Sequence, residues 1–396
     1  MTALDLSPAT ARRLLGPFAP AAGDDAVVDR LATVVWCHLL EPGDSVAGRL
    51  LAGLGPSESL RLAVGDGTTA LLSETELATA RKRWLPRLSL AHVGDALHSA
   101  AKAGVQLVTR SDPEWPEQVD DLGLHAPVCL WVRGAAVRLS ELRPSVAVVG
   151  ARAATSYGEH VAIELAADLA GSGIAVVSGG AYGIDGAAHR ATLSVGGLTV
   201  ALLAGGVDRA YPAGNAGLID RIAASGAVVS EVPCGSAPTK WRFLQRNRLI
   251  AALAGATVVV EAGWRSGSLN TAGHAAALSR PLGAIPGPIT SAASAGTHRL
   301  LREYGAHCIT SAADIREMIG FEGTAPFGAM PDAGGRTDDT TRVRDALSVR
   351  AWRETADVAR RAGMAPDEVE AILGLLSLEG SVARAPGGWR RAGRRE

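Results

Sequence analysis

The sequence SVAVVGAR (residues 145–152) decides the fold, because an apolar strand opens there directly into a turn that carries glycine and arginine. Two further stretches repeat the design: IAVVSGGAYGID (residues 174–185) and ATVVVEAGWRSGSLNTAGHA (residues 256–275). A turn of small residues between a strand and a helix brings backbone N–H groups and a helix N-terminus together, which suits a bound anion. These stretches predict an α/β domain with an anion site.

Short runs rich in Val, Ile and Leu predict strands across the middle of the chain. They are VQLVT (105–109), VCLWVRG (128–134), SVAVVG (145–150), IAVVSGG (174–180), TVALLAGG (199–206), AVVSEV (227–232), TVVVEA (257–262), LGAIPG (282–287) and HCIT (307–310). Apolar strands that alternate with helices are typical of a mostly parallel sheet covered on both faces, and such sheets bind ligands beyond the carboxyl ends of their strands. We therefore expect a doubly wound, mostly parallel α/β domain over residues 106–320.

The flanking regions have other patterns. Residues 1–105 predict an N-terminal helical domain, since apolar residues recur at helical spacing in VVDRLATVVWCHLL (residues 27–40). Residues 321–340 are rich in Gly, Pro, Asp and Thr without periodicity and predict a linker. Residues 341–396 read as helix, helix, turn, helix and a hairpin around residues 386–388, which predicts a C-terminal winged-helix domain.

Composition restricts the possible functions. The formal net charge is −1, so a nucleic-acid site must be a local patch and not a field of the whole molecule. Cys37, Cys129, Cys234 and Cys308 form no CxxC pair, which argues against a zinc site and favours a reducing cytoplasm. No segment resembles a signal peptide or approaches the ~20 apolar residues of a membrane span. We expect a cytoplasmic protein with no metal, no cofactor and no membrane contact.

The three glycine-bearing turns supply candidate anion ligands. Arg152 offers a planar fork of donors suited to phosphate, and the alternative is an arginine that caps surface carbonyls. The candidates from the turns are Gly150, Ala151, Arg152, Ser178, Gly179, Gly180, Ala181, Ser266, Gly267 and Ser268.

Three further residues near these turns are candidates for supporting the site. Asp185 lies where a carboxylate caps a helix start, and His189 follows one turn later, where it either acts as a base or bonds to Asp185. Glu261 is expected to hold a basic residue of the neighbouring segment. The three are assigned structural support, and no residue is assigned a catalytic role.

The segment KWRFLQRNR (residues 240–248) concentrates positive charge in a chain with only three lysines. Basic side chains fix phosphates, while aromatic rings such as those of Trp241 and Phe243 stack on the bases of single strands. The alternative is an amphipathic helix with a solvated basic face.

Together these motifs resemble one family. The co-linear set GAR, SGGAYGID, FLQRNR, VVEAGWRSGSLNTAGHAA, AIPG and SAGTHRLLREYGA is similar to the DNA-processing protein A family, DprA, also called Smf. The resemblance implies that residues 106–320 form a Rossmann-like domain that binds single-stranded DNA. It also implies a mediator that protects incoming DNA in natural transformation, loads the recombinase RecA, acts as a homodimer and has no catalytic turnover. It implies that Arg152 contacts phosphate and that residues 178–180 line the pocket.

The resemblance also implies a basic wall for that pocket. Its members are Lys240, Phe243, Arg246, Asn247 and Arg248. The chain departs from the family pattern in having Ala151 where a hydroxyl residue is common and Leu244 where proline is usual.

Two other functions remain open on the sequence. The SGGAYGID turn is also similar to nucleotide N-glycosidases of the phosphoribohydrolase type, but residues 285–298 lack a helix-borne Glu at the spacing of their second motif, which leaves Glu261 or His189 as substitutes. A duplex-binding regulator would instead use the winged helix. Its candidate recognition helix, APDEVEAILGLL (residues 365–376), is acidic, whereas a major-groove helix is normally basic.

Overall fold

The computed structural model describes residues 4–321, 339–378 and 380–392. The chain divides into two compact units, residues 1–324 and residues 325–396. Most of the predicted linker, residues 321–340, lies outside the described residues. Among the described residues, no helix combines the length and apolar character needed to cross a bilayer.

The first unit contains helices throughout and a large sheet in its second part. Its helices are α1 (Pro8–Leu15), α2 (Asp24–Leu39), α3 (Ser45–Val64), α4 (Glu74–Trp84), α5 (Leu90–Lys102), α6 (Ser156–Gly171), α7 (Ile184–Ser194), α8 (Ala216–Ser225), α9 (Lys240–Leu253), α10 (Ser268–Ala277), α11 (Ala295–Glu303) and α12 (Ala312–Met318). Its strands are β1 (Val105–Val108), β2 (Leu130–Gly134), β3 (Ser145–Val149), β4 (Ala175–Ser178), β5 (Thr199–Leu202), β6 (Ala227–Ser230), β7 (Ala256–Val259), β8 (Leu282–Ala284) and β9 (His307–Cys308). Every strand predicted from an apolar run is present.

The strands form a nine-stranded sheet in the order β1-β2-β6-β5-β4-β3-β7-β8-β9. The pairs from β6 to β9 along this order are parallel, and β2 pairs antiparallel with both β1 and β6. The mostly parallel, doubly wound sheet is therefore confirmed. The chain order reverses between β3 and β7, and a crevice opens at such a switch point beyond the strand ends.

The two faces of the sheet are covered by different helices, because successive side chains of a strand point to opposite faces. On β3, Val146 and Val148 pack in one buried cluster with residues of α6 and α7, while Ala147 and Val149 pack in another with residues of α9 and α10. Near β2, β5 and β6, the face of the sheet that carries Val146 and Val148 on β3 is instead covered by α8 and the N-terminal helices. Their buried residues form one continuous cluster with Trp131 and Val228.

The helix starts follow from local capping. The Asp44 carboxylate accepts from the backbone N–H groups of Val46 and Ala47, at 3.0 and 3.2 Å, so the turn after α2 leads directly into α3. A reciprocal capping box of Ser73 and Glu76 begins α4.

The second unit has the predicted order of a winged helix. It contains α13 (Asp339–Ala346), α14 (Thr355–Ala362), α15 (Pro366–Leu378) and the antiparallel pair β10 (Val382–Ala385) and β11 (Gly388–Arg391). Val343, Val358, Leu373 and Trp389 belong to its own buried core. The arginines at 394 and 395 that the sequence places in its tail lie outside the described residues.

Candidate nucleic-acid interface

A cavity of about 430 Å³ lies at the switch point of the sheet. It is lined by Val149, Gly150, Arg152, Ala181, Asp185, Tyr211, Pro238, Thr239, Lys240, Phe243, Leu244, Arg246, Asn247, Ile250, Gly267, Ser268 and Thr271. These residues come from the end of β3, from the three predicted turns, from the segments after β5 and β6, and from α9 and α10. The cavity therefore collects most of the motifs that the sequence identified.

In the first turn, the Arg152 side chain lines the cavity, whereas the Ala151 backbone bonds to other parts of the protein. The Ala151 N–H donates to the Glu261 carbonyl at 2.8 Å, and the Ala151 carbonyl accepts from the Ile184 N–H at 3.2 Å. The Ala151 N–H is thus bonded within the protein and offers no free donor to an anion, and Ala151 does not line the cavity, in contrast to the expectation. Arg152 is exposed and makes no ion pair among the described residues, and its guanidinium carbon lies 4.6 Å from the Phe243 ring centroid.

The first and second turns are packed together because two glycines permit it. Gly183 has φ +70°, and a Cβ there would come within 2.3 Å of the Ala151 carbonyl oxygen. A Cβ on Gly150 would come within 2.5 Å of Ile184. The sequence therefore needs glycine at both positions to bring Arg152 and the start of α7 to the same edge of the sheet.

Most of the second turn lies below the cavity surface. Ser178 is fully buried, and its hydroxyl donates to the Val148 carbonyl at 2.7 Å. The Gly179 N–H donates to Asp185 at 3.1 Å, and the Gly180 carbonyl accepts from Asn215. Neither Ser178 nor the two glycines line the cavity, in contrast to the expectation, because their polar groups bond to the protein itself.

Helix α9 supplies the wall of the cavity. The Thr239 hydroxyl caps the helix by accepting from the Arg242 N–H at 3.2 Å, so the helix begins at Lys240. Lys240 is exposed and has no ion pair among the described residues. The Phe243 ring lies 5.6 Å from the ring of Tyr211, tilted by 54°. Tyr211 escaped the sequence prediction because it lies in an irregular segment without periodicity.

Arg246 lies in the floor of the cavity. It is only 7% exposed, and its guanidinium donates to the carbonyls of Gly179, at 2.7 Å, and Leu202. Burial lowers the pKa of Arg246 to about 10, and the Asp185 carboxylate opposes that change. Asp185 is also buried, and burial raises its pKa while the Arg246 charge lowers it. Both side chains bond to the backbone of Gly179, Asp185 to its N–H and Arg246 to its carbonyl, and so hold the second turn in place.

Two other basic residues of α9 are paired away from the cavity. Arg248 is 3% exposed and makes a bidentate ion pair with Glu231 at 2.7 and 2.5 Å. The sequence analysis placed Arg248 in the basic wall, but in the structure it does not line the cavity. Arg242 makes a bidentate pair with Glu41 at 3.0 and 2.9 Å. Glu41 also accepts from Arg87 at 2.8 Å, so the turn after α2 is joined to α9.

His189 and Glu261 support neighbouring elements, although not through the expected partners. Glu261 accepts from the Thr155 N–H and hydroxyl at 2.9 and 2.5 Å, and no basic residue of α9 contacts it. The Thr199 hydroxyl donates to the Val176 carbonyl, so it accepts from His189 Nδ1 at 2.7 Å. The expected Asp185–His189 hydrogen bond is therefore absent among the described residues. Burial lowers the pKa of His189 to about 3.

The third turn contributes Gly267 and Ser268 to the lining of the cavity. The hydroxyls of Ser266 and Ser268 lie 2.7 Å apart, and of the two only Ser268 lines the cavity. The Asn247 side-chain amide donates to the Gly267 carbonyl at 3.3 Å and to Asn270 at 3.2 Å. Asn247 thus joins α9 to the third turn.

The arrangement suits an anion that also carries an aromatic ring. Arg152 and Lys240 are free to meet phosphates, while Phe243 and Tyr211 offer ring surface next to them. Stacking combined with phosphate contacts is the means by which proteins hold single strands of nucleic acid. In the described ranges, no group of His, Cys, Asp and Glu side chains is placed to hold a metal ion.

Comparison with family models matches two parts of the chain. Residues 106–320 match the model of the DNA recombination-mediator protein A, and residues 328–388 match the DprA winged-helix domain. Among solved structures, DprA from Streptococcus pneumoniae is similar with a TM-score of 0.59 and 30% identity, over 73% of this chain and 96% of that one. DprA from Helicobacter pylori, for which a single-stranded DNA binding mode is described, has a TM-score of 0.50 and 31% identity over 55% and 98%.

Similar sequences give the same result. A DNA processing protein DprA of Mycobacterium tuberculosis, described as putative, is 46% identical over 325 residues, which cover 78% of this chain and 82% of the relative. The Smf protein of Escherichia coli is 37% identical over 279 residues, which cover 67% and 72%. With its sheet and its winged helix both matched, this chain belongs to the DNA recombination-mediator protein A family, the family of DprA and Smf.

Proposed function

We propose that the chain binds single-stranded DNA in the cavity at the switch point and acts as a recombination mediator without catalytic turnover. One observation carries the proposal: Arg152 and Lys240, which make no ion pair among the described residues, line the same cavity as the ring of Phe243. The cations hold phosphates, and the ring stacks on a base. The single-stranded DNA binding mode described for the Helicobacter pylori relative supports the same substrate.

Direct binding tests the proposal. Fluorescence anisotropy of a labelled oligothymidylate across a salt series should give a linear fall of log affinity with log salt, with a slope of about −0.7 per phosphate neutralised. Arg152→Ala and Lys240→Ala should each weaken binding and reduce the magnitude of that slope by about 0.7, the value for one phosphate contact. Lys102→Ala is the matched control, because Lys102 is exposed on α5 and unpaired among the described residues. An unchanged slope in both cavity variants, or equal affinity for duplex, contradicts the proposal.

Delivery of the strand to RecA, protection of incoming DNA in natural transformation and assembly as a homodimer are further parts of the proposal, supported by family membership. RecA-dependent ATP hydrolysis on single strands coated with a single-strand-binding protein should rise with the wild-type chain and not with Arg152→Ala. Sedimentation velocity should give twice the monomer mass. A monomer at all concentrations contradicts the dimer, and an unchanged ATPase rate contradicts delivery to RecA.

The alternative of a nucleotide N-glycosidase has little support from the cavity. Its two candidate catalytic groups, Glu261 and His189, are 2% and 0% exposed and bond to Thr155 and Thr199. Neither lines the cavity. Release of ribose 5-phosphate from nucleoside monophosphates would support the alternative against the mediator.

A further inference from the structure

An exposed cluster of two aromatic rings and one arginine lies at the edge of the third turn. This stacking platform consists of Trp264, Arg299 and Tyr304. Trp264 is 59% exposed and Tyr304 is 46% exposed. The Arg299 guanidinium carbon lies 5.3 Å from the Trp264 ring centroid and 5.5 Å from that of Tyr304. Single exposed aromatic residues need no explanation, but two rings organised around one cation form a defined surface.

The platform is held in place by polar contacts. Arg299 Nε donates to the Glu303 carboxylate at 2.7 Å, and Arg299 Nη2 donates to the Tyr304 hydroxyl at 3.4 Å. Arg299 and the Tyr304 ring are therefore positioned before a ligand arrives, which reduces the conformational entropy lost on binding. The Trp264 ring meets them through its cation–π contact with Arg299. Their exposed surface remains open for stacking.

The platform is continuous with the cavity along the chain. Trp264 lies in a tight turn closed by the Ser266 N–H donating to the Gly263 carbonyl at 3.0 Å. The next two residues, Gly267 and Ser268, line the cavity. Since consecutive Cα atoms are about 3.8 Å apart, the Cα atoms of Trp264 and Gly267 are at most about 11 Å apart. At a rise of about 3.4 Å per nucleotide, a strand covers that distance in at most about three nucleotides.

The charges around the platform suit a nucleic acid. Arg265 and Arg302 are exposed and make no ion pair among the residues that the structure describes. Together with Arg299 and its ion-pair partner Glu303, these four residues carry a net charge of 3 − 1 = +2. The cores of protein–protein interfaces are depleted in charge, whereas single-strand sites combine cations with rings. The composition therefore favours a polyanion with bases over a protein partner.

We propose that the stacking platform is a second subsite for single-stranded DNA, on which bases of the strand stack after it leaves the cavity. The inference rests on the proposed function, since the strand must first be held by Arg152 and Lys240. It adds a prediction that the cavity alone does not make: affinity depends on oligonucleotide length through Trp264 and Tyr304.

The test compares two oligothymidylates bound to the full chain, one of about 4 and one of about 16 nucleotides. Trp264→Ala should weaken binding of the long strand about tenfold, within the range for loss of one stacked base, and leave the short strand unchanged. Trp264→Phe should retain most of the affinity, since a ring remains. Arg152→Ala should weaken both strands, which separates the platform from the cavity.

Abasic positions moved along the long strand give a second readout. At the position that stacks on the platform, an abasic site should remove the difference between wild type and Trp264→Ala. Equal effects of Trp264→Ala on both lengths, or none on either, overturn the inference while the cavity proposal stands. A change of sedimentation coefficient with unchanged DNA affinity assigns the platform to a protein interface and also overturns it. Absence of any binding by the wild type removes both proposals.

Discussion

Lys240 and Arg246 lie six residues apart on α9, yet their environments are opposite. Lys240 is exposed without an ion pair among the described residues, whereas Arg246 is 7% exposed and bonds to two carbonyls of neighbouring strand ends. Arg152, in the turn after β3, is exposed without an ion pair among the described residues, as Lys240 is. Arg248 is buried and paired with Glu231, so it resembles Arg246. A run of basic residues thus contains two kinds of cation. One kind is available to a ligand, and the other holds together the elements that form the cavity.

The largest expected effect is on the buried kind. Arg246→Ala leaves the buried carbonyls of Gly179 and Leu202 without their donor and the Asp185 carboxylate without a nearby positive charge. Each buried polar group left unsatisfied costs about 1–3 kcal/mol of stability. Urea denaturation of the full chain should show this loss. Replacing both residues in an Arg246→Leu, Asp185→Leu double variant should recover part of it, because no buried charge then remains. If the urea midpoint of Arg246→Ala equals that of the wild type, Arg246 does not stabilise the fold and the distinction between the two kinds of cation is wrong.

An intermediate effect concerns pH and the same buried region. The pKa of His189 is about 3 in the folded chain, lowered first by burial and then by the charges of Arg246 and Arg190. The unfolded chain, with an ordinary His pKa of about 6.5, binds the proton more tightly. Folding is therefore most favourable above about pH 6.5, and stability falls by up to about 1.4 kcal/mol per pH unit as the pH drops toward 3.

The measurement for His189 is the difference between two titrations, since carboxylates also titrate in this range. His189→Asn keeps a donor for the Thr199 hydroxyl and has no ionisable ring. Its urea midpoint should depend less on pH between 6 and 4 than that of the wild type. If the urea midpoints of the two proteins depend on pH in the same way, His189 binds its proton equally well in the folded and unfolded states, which contradicts the lowered pKa.

The smallest expected effect on stability is at the free cations. Arg152→Ala and Lys240→Ala should each change the free energy of unfolding by less than about 0.5 kcal/mol, because exposed side chains without ion pairs contribute little. The same variants have the largest expected effect on DNA binding. A loss of stability as large as that of Arg246→Ala would remove the distinction between the two kinds of cation.

The sequence predicted the sheet better than it predicted the individual contacts. Apolar runs such as SVAVVG identify strands because burial on both faces requires Val, Ile and Leu, and the turns after them follow from glycine. The roles of Ser178 and Arg248 could not be predicted in this way. Ser178 faces the carbonyl of a neighbouring strand, and the partner of Arg248 is Glu231, which lies in another element. Such pairings depend on tertiary packing and leave no local signal.

The shared core of the N-terminal helices and the sheet has an evolutionary consequence. Trp36 and Leu31 of α2 belong to the same buried cluster as Trp131 and Val228 of the sheet. A lineage that lost the N-terminal helices by gene truncation would expose this apolar face to water, together with the charge of Arg242 that Glu41 now neutralises. Shorter members of the family are therefore expected to carry polar residues at the positions of Trp131 and Val228, so that truncation and surface change were inherited together.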